Sequence, residues 1–76
     1  MAKEIYHYPI EDVIYRAPQG KVYAEVVRGI EKILIEKVLA RCFGNQIAAA
    51  KVLGINRNTL RAKINKLNIK VRRFKR

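Results

Sequence analysis

Acidic side chains are missing from the whole second half of this chain. Residues 44–76 contain ten Lys and Arg and no Asp or Glu, whereas residues 1–43 hold seven basic and six acidic side chains. The formal net charge of +11 over 76 residues therefore sits at one end. Such one-ended charge points to a polyanionic partner. A basic tail of no particular purpose accounts for the last seven residues, but not for the lack of acids across the residues before them.

Other shortages exclude whole classes of protein. The single cysteine, Cys42, rules out an intrachain disulfide and reads as a small core residue at the end of an apolar stretch. His7 is the only histidine and has no second ligand at metal-binding spacing. No Ser/His/Asp grouping accompanies it, so neither an enzyme nor a cofactor or metal is expected, and no small-molecule ligand is evident. No apolar run approaches the roughly 20 residues of a membrane helix. The opening MAKEIYHYPIED does not resemble a secretion signal. Internal repeats and low-complexity segments are absent. A chain of 76 residues suffices for one small domain but not for a large core.

Residues 1–8 read as a loosely held terminal segment. Pro9 is suited to a helix start. Ile10, Val13 and Ile14 follow at helical spacing, with Glu11 and Asp12 where acids favour the helix dipole. This predicts a short helix of about two turns, ended by Pro18 and a Pro18-Gln19-Gly20 turn. Lys21 to Phe43 is the longest pattern. Val22, Val26, Ile30, Ile33, Leu34, Val38 and Leu39 recur mostly every three or four residues, and Tyr23, Val27, Ile35 and Cys42 broaden the stripe. β-branched residues are frequent, yet the length and spacing favour a helix. Gly29 weakens it by roughly 1 kcal/mol relative to Ala, a cost that close approach of another backbone could offset.

Residues 44–67, GNQIAAAKVLGINRNTLRAKINKL, form the organising stretch. Asn45 is placed to cap a helix, and Ile47, Ala49, Ala50, Val52 and Leu53 make it short and compact. The small residues Ala48, Ala49 and Ala50 admit a second helix at close range. Gly54 can take the left-handed conformation that ends a helix, and Ile55 plugs the turn. Asn56 caps a second helix whose Leu60, Ile64 and Leu67 share one face. Arg57, Asn58, Thr59, Arg61, Ala62, Lys63, Asn65 and Lys66 fill the rest. An apolar rear with a basic front is the pattern of a DNA-binding helix-turn-helix, whose second helix enters the major groove.

The same stretch resembles the C-terminal helix-turn-helix of the Fis family, and equally the domain that ends the NtrC-type activators of sigma-54 transcription. The pattern GNQ-x-x-AA-x-x-LGINR-x-TLR-x-K carries the likeness, and a looser match through VYAEVVRGIEKILIEKVLARCFG extends it over about residues 22–69. Residues 1–21 match poorly. The resemblance implies an all-α fold, a Fis-like four-helix domain with 9–42 for dimerisation and 45–67 as helix-turn-helix; residues 70–76 are read from their charge as a basic tail, and 1–76 as one domain. It also implies a homodimer with a four-helix core, in which Val22, Val26, Ile30, Ile33, Leu34 and Val38 form the seam. The residues point the same way, because the long helix carries more apolar surface than the short first helix and the helix-turn-helix can cover.

The implied partner is double-stranded DNA, contacted by Arg57, Thr59 and Arg61, with Asn45 and Asn56 near phosphates. By position, Arg57 suits a guanine edge, Arg61 and Lys66 suit phosphate, and Thr59 and Asn58 suit either. Lys63, Arg72 and Arg73 complete the expected contact set. Ala62 stands where relatives place Lys, which removes one charge from the front. Families of this type bend DNA because their recognition helices sit closer than one helical turn, so deformability contributes to selectivity. Asn68 stands where relatives often have Gly. The closing KVRRFKR extends beyond the usual family end, and two readings stay open: a grip on flanking phosphates or a disordered solubilising tail.

Three functions follow. The first is the DNA-binding domain of a sigma-54-dependent activator, in the bacterial cytoplasm at the nucleoid. The second is a stand-alone Fis-like protein that bends nucleoid DNA. Such relatives carry a longer N-terminal arm and first helix, which favours the activator domain. The third is a small basic RNA- or ribosome-binding protein, against which stands the lack of an aromatic stacking platform or GXXG loop.

Overall fold

The computed structural model describes residues 8–75. The expected loose segment, except for Tyr8, lies outside these residues, as do His7 and Arg76. Four α-helices follow in order: α1 (Ile10–Arg16), α2 (Val22–Arg41), α3 (Gln46–Leu53) and α4 (Arg57–Lys66), then a 3-10 turn at Val71–Phe74. No strand occurs among the described residues, so the fold is all-α. None of these helices is long and apolar enough to cross a membrane. The chain divides within α2 into two compact units, one up to Ile33 and one from Leu34.

In the first unit, α1 starts after Pro9, whose carbonyl accepts from the Val13 N–H at 3.0 Å. Within α1, Arg16 Nε donates to the Asp12 carboxylate at 2.8 Å. That hydrogen bond, and then the Asp12 charge, hold the Arg16 guanidinium above its usual pKa. Both side chains are largely exposed, so the pair adds little stability. Ala17 is extended (ψ 145°), as a residue before proline must be. Lys21 N–H then donates to the Pro18 carbonyl at 3.0 Å, closing a turn in which Gly20 takes φ +88°.

Gly29 has a specific role. A Cβ built there would run into the Tyr8 ring, and the Tyr8 hydroxyl donates to the Glu25 carbonyl at 3.2 Å. The close approach at this glycine is thus made by an aromatic side chain rather than by a second backbone. No described side chain of this unit is fully buried. Ile10, Ile14 and Tyr15 of α1, and Tyr23 and Val27 of α2, stay exposed.

Among the described residues, every buried side chain belongs to the second unit. Ile35 and Leu39 of α2, Ala49 and Ala50 of α3, Leu60 and Ile64 of α4, then Leu67 and Ile69, are all buried. Val38, Cys42, Leu53, Ile55, Val71 and Phe74 pack against them. Part of the Val38 surface, expected at a dimer seam, is therefore covered inside its own chain. Cys42 is the small core residue expected of it.

Local signals explain the joints. Gly44 (φ +80°) donates its N–H to the Leu39 carbonyl at 2.8 Å and ends the run of α2. Asn45 Oδ1 accepts from the Ala48 N–H at 3.1 Å and caps α3. At the far end, Gly54 takes φ +76° and donates to the Lys51 carbonyl at 3.2 Å, while Ile55 N–H reaches the Ala50 carbonyl at 3.1 Å. This paired closure satisfies carbonyls that the helix end would leave unpaired. Asn56 Oδ1 accepts from the Asn58 N–H at 2.7 Å and caps α4. Asn68 repeats the closure with φ +58°, as Asn tolerates, and Ile69 N–H donates to the Ile64 carbonyl at 3.0 Å.

Two features go beyond the sequence reading. Ile47 and Val52, grouped with the compact apolar residues of α3, are each 53% exposed. Ile47 lies two residues before the buried Ala49, and Val52 two after the buried Ala50. Two residues turn a helix by roughly 200°, which carries both away from the buried face. The C-terminal extension is also no loose tail through Lys75. Residues 71–74 form a 3-10 turn whose Val71 and Phe74 pack on the core behind the buried Ile69.

Candidate nucleic-acid interface

α4 is split cleanly along its length. Leu60 and Ile64 are buried against α3 and the end of α2, while Arg57, Asn58, Thr59, Arg61, Ala62, Asn65 and Lys66 are exposed. The apolar rear thus fixes which residues face out. Lys63 is half-buried at the border of the two faces. The two capping asparagines use their side-chain oxygens inside the chain, at 3.1 Å for Asn45 and 2.7 Å for Asn56. Each keeps its amide N–H donors for an outside acceptor, which suits a phosphate oxygen.

Electrostatics separates the two units completely. Residues 34–76 carry twelve Lys and Arg and one acid, Glu36, so this unit holds the whole net charge of +11. Residues 1–33 carry five basic and five acidic side chains.

An open cleft of about 600 Å³ lies on the second unit, lined by Phe43 to Ile47, Arg57, Arg61 and Lys75. Among the expected contact residues, it brings Asn45, Arg57 and Arg61 together from two helices of the turn. Three cations line it and no acid does. Asn58, Thr59 and Lys66 sit elsewhere on the exposed front of α4, and Arg72 is exposed on the 3-10 turn. Asn56 is exposed at the start of α4. Arg73 is less available than its position in the tail suggests. Its guanidinium stands 4.0 Å from the Glu36 carboxylate and 5.5 Å from the centroid of the Phe74 ring.

Five lining residues were not singled out as contacts by the sequence: Phe43, Gly44, Gln46, Ile47 and, within the tail, Lys75. Gln46 had a signal, because it adjoins the Asn45 cap within the GNQ motif. Ile47 was grouped only with the apolar residues of its helix, and its apolar character gave no sign of a place at the cleft. Nothing local marks Lys75, whose place depends on how residues 69–74 dock.

A short helix packed by alanines, a glycine turn, and a second helix with a buried rear and a basic front define a helix-turn-helix domain. The "Bacterial regulatory protein, Fis family" profile matches residues 26–67. The chain belongs to this family, which is one of DNA-binding regulators. It is 50% identical over 54 residues to the "DNA-binding transcriptional regulator NtrC" of Azospirillum brasilense, covering 71% of this chain and 11% of that protein. The NtrC of Rhizobium meliloti is 46% identical over 59 residues, covering 78% of this chain and 12% of the relative. A protein of Ralstonia nicotianae named as Fis-like and DNA-binding is 46% identical over 57 residues, covering 70% of this chain and 74% of its own length. The chain thus spans only about a tenth of the NtrC relatives it matches. No solved structure matches it.

Proposed function

We propose that this domain binds double-stranded DNA sequence-specifically as a homodimer and serves transcription regulation as the DNA-binding part of a sigma-54-dependent activator. The observation that carries the reading is the α4 surface. Its apolar rear is locked into the core, so Arg57, Asn58, Thr59 and Arg61 are presented together, on a unit that carries +11 and has one acid. A rigid helix with this face fits the major groove, where Arg57 at its start reads a guanine edge. Arg61 and Lys66 hold the backbone. The work is done in a bacterial cytoplasm, at the nucleoid.

Pairing is supported by what the first unit lacks. It has no buried side chain among its described residues, yet it exposes Ile10, Ile14, Tyr15, Tyr23 and Val27. Along α2 the exposed large apolar side chains are Tyr23, Val27 and Leu34, at spacings of four and seven. That is a seam-like repeat. Val22, Val26, Ile30 and Ile33 are half-buried beside it. A two-fold pair covers such a stripe and offers two recognition helices to two half-sites.

The coverage of the Ralstonia nicotianae relative favours a second reading, a stand-alone Fis-like protein that bends DNA. The open reading frame upstream of the first codon separates the two, since an activator continues into an ATPase domain. DNA recognition itself is tested by selection from a random duplex pool. Enrichment of a two-fold-symmetric site is expected. Enrichment of no sequence, or tighter binding to single-stranded RNA than to any duplex, overturns the reading.

A further inference from the structure

The family match ends at residue 67, but the structured chain does not. Asn68 turns the backbone with φ +58°, and Ile69 is buried at 6% exposure. The 3-10 turn follows, closed by Arg73 N–H to the Lys70 carbonyl at 3.1 Å and Lys75 N–H to the Arg72 carbonyl at 3.3 Å. Val71 and Phe74 pack on the core, and Arg73 lies by Glu36 and over the Phe74 ring. The turn is thus held by two apolar anchors and a weak ionic one, and its residues have a defined place.

Its outcome is the position of Lys75. A Cβ placed on Gly44 would lie 2.7 Å from Lys75 Cγ, 3.4 Å from its N and 3.4 Å from the Val71 carbonyl. Lys75 therefore crosses directly over Gly44, the residue before the Asn45 cap of α3. From there it lines the same cleft as Asn45, Arg57 and Arg61. Only glycine fits beneath it, both for space and for the φ of +80°.

We infer that the C-terminal turn is a built part of the DNA interface, and that Lys75 is a phosphate-gripping residue held at the mouth of the recognition cleft. The inference rests on the proposed DNA-binding function and deepens it. Lysine supplies a compact point charge with three donors, which suits a backbone phosphate and carries no base preference. Lys70 and Arg72 lie outside the cleft, so the surrounding basic residues do not act alike. Gly44 is a positioning residue, because it admits the Lys75 stem against the loop that opens α3.

The test uses the full chain and two duplexes, one selected and one scrambled, titrated from about 50 to 200 mM salt. Lys75→Ala should weaken both duplexes by a similar factor. The slope of log affinity against log salt should shrink by about 0.9 for each protomer engaged, about three- to four-fold less loss across that salt range per contact. Lys75→Arg should restore the slope. Phe74→Ala, which keeps every charge but removes an anchor of the turn, should also lower the slope. Lys70→Ala is the control for charge alone and should change it least. Equal slopes for Lys75→Ala and Lys70→Ala, with Phe74→Ala like wild type, overturn the inference. Arg57→Ala run alongside separates the two levels. If it weakens the selected duplex while Lys75→Ala behaves as Lys70→Ala, the turn is dispensable and DNA recognition stands. If wild type binds neither duplex, both fall together.

Discussion

Leu34 and Leu39 are one and a half turns apart on α2, and the structure assigns them opposite fates. Leu39 is 0% exposed, whereas Leu34 is 42% exposed. Fully burying a leucine is worth about 1.5–3 kcal/mol, so covering the exposed fraction of Leu34 contributes about 1 kcal/mol per protomer and about 2 kcal/mol in a two-fold pair. Leu34→Ala should therefore raise the dimer Kd by about thirty-fold. Leu34→Asp adds the cost of stripping water from two carboxylates and should raise it further, beyond about a hundred-fold. Neither change touches the buried core, so residues 34–75 should stay folded. Leu39→Ala should do the reverse, costing about 2–5 kcal/mol of stability through a cavity. Sedimentation equilibrium over a concentration series reads the pairing. Circular dichroism melts at fixed concentration read the core. The reasoning fails if wild type is a fully helical monomer at micromolar concentration, or if Leu34→Asp leaves the Kd unchanged.

Other changes separate base reading, backbone grip and turn geometry. Arg57→Ala should cost about 1–3 kcal/mol on a selected duplex and much less on a scrambled one, measured by paired titrations. Wild-type affinity should fall linearly on a log–log plot against salt, with a slope near −0.9 per phosphate neutralised; a flat profile excludes backbone binding. Gly54→Ala meets open space, so only the φ of +76° penalises it, by about 1–2 kcal/mol in a thermal melt. Gly44→Ala should lose more than Gly54→Ala, because it adds the collision with Lys75; equal losses would place the lysine elsewhere.

The helix-turn-helix was legible because its signals are local. Asn45 and Asn56 hydrogen-bond within three residues of themselves, and Gly54 and Asn68 take their left-handed φ from their own chemistry. Helix α1 and the Pro18 turn were readable for the same reason. What escaped depends on neighbours distant in sequence. Gly29 makes room for Tyr8, 21 positions earlier, and no spacing rule links the two. Val38 sits at a seam spacing, yet it packs against the core that α3 and α4 share. Phe74 and Val71 stand among five basic residues, so composition suggests a solvated tail; their anchoring needs the core formed by Leu60, Ile64 and Leu67. Exposure also redraws the proposed seam, since Tyr23 and Val27 stand out beside Leu34 although periodicity used them only to widen a stripe.

The separation of charge from uncovered apolar surface bears on how pairing and DNA binding are linked. Two copies that each carry +11 repel one another. That charge lies wholly in residues 34–76, while residues 1–33 are neutral and carry most of the uncovered apolar side chains. Pairing along the Tyr23–Val27–Leu34 stripe, which reaches the charged unit only at its first residue, keeps the like charges from being buried together, but the longer-range repulsion remains wherever it is not screened. DNA removes it, because phosphates neutralise both basic units at once. The proposed dimer should therefore tighten when duplex is present, and by linkage the duplex affinity should rise by the same factor on pairing. Without DNA, raising salt should strengthen the dimer; with DNA, raising salt should weaken the complex. Opposite salt responses in the two assays follow from one charge distribution. If both weakened with salt, pairing would itself be ionic and the apolar stripe on α2 would not be its seam.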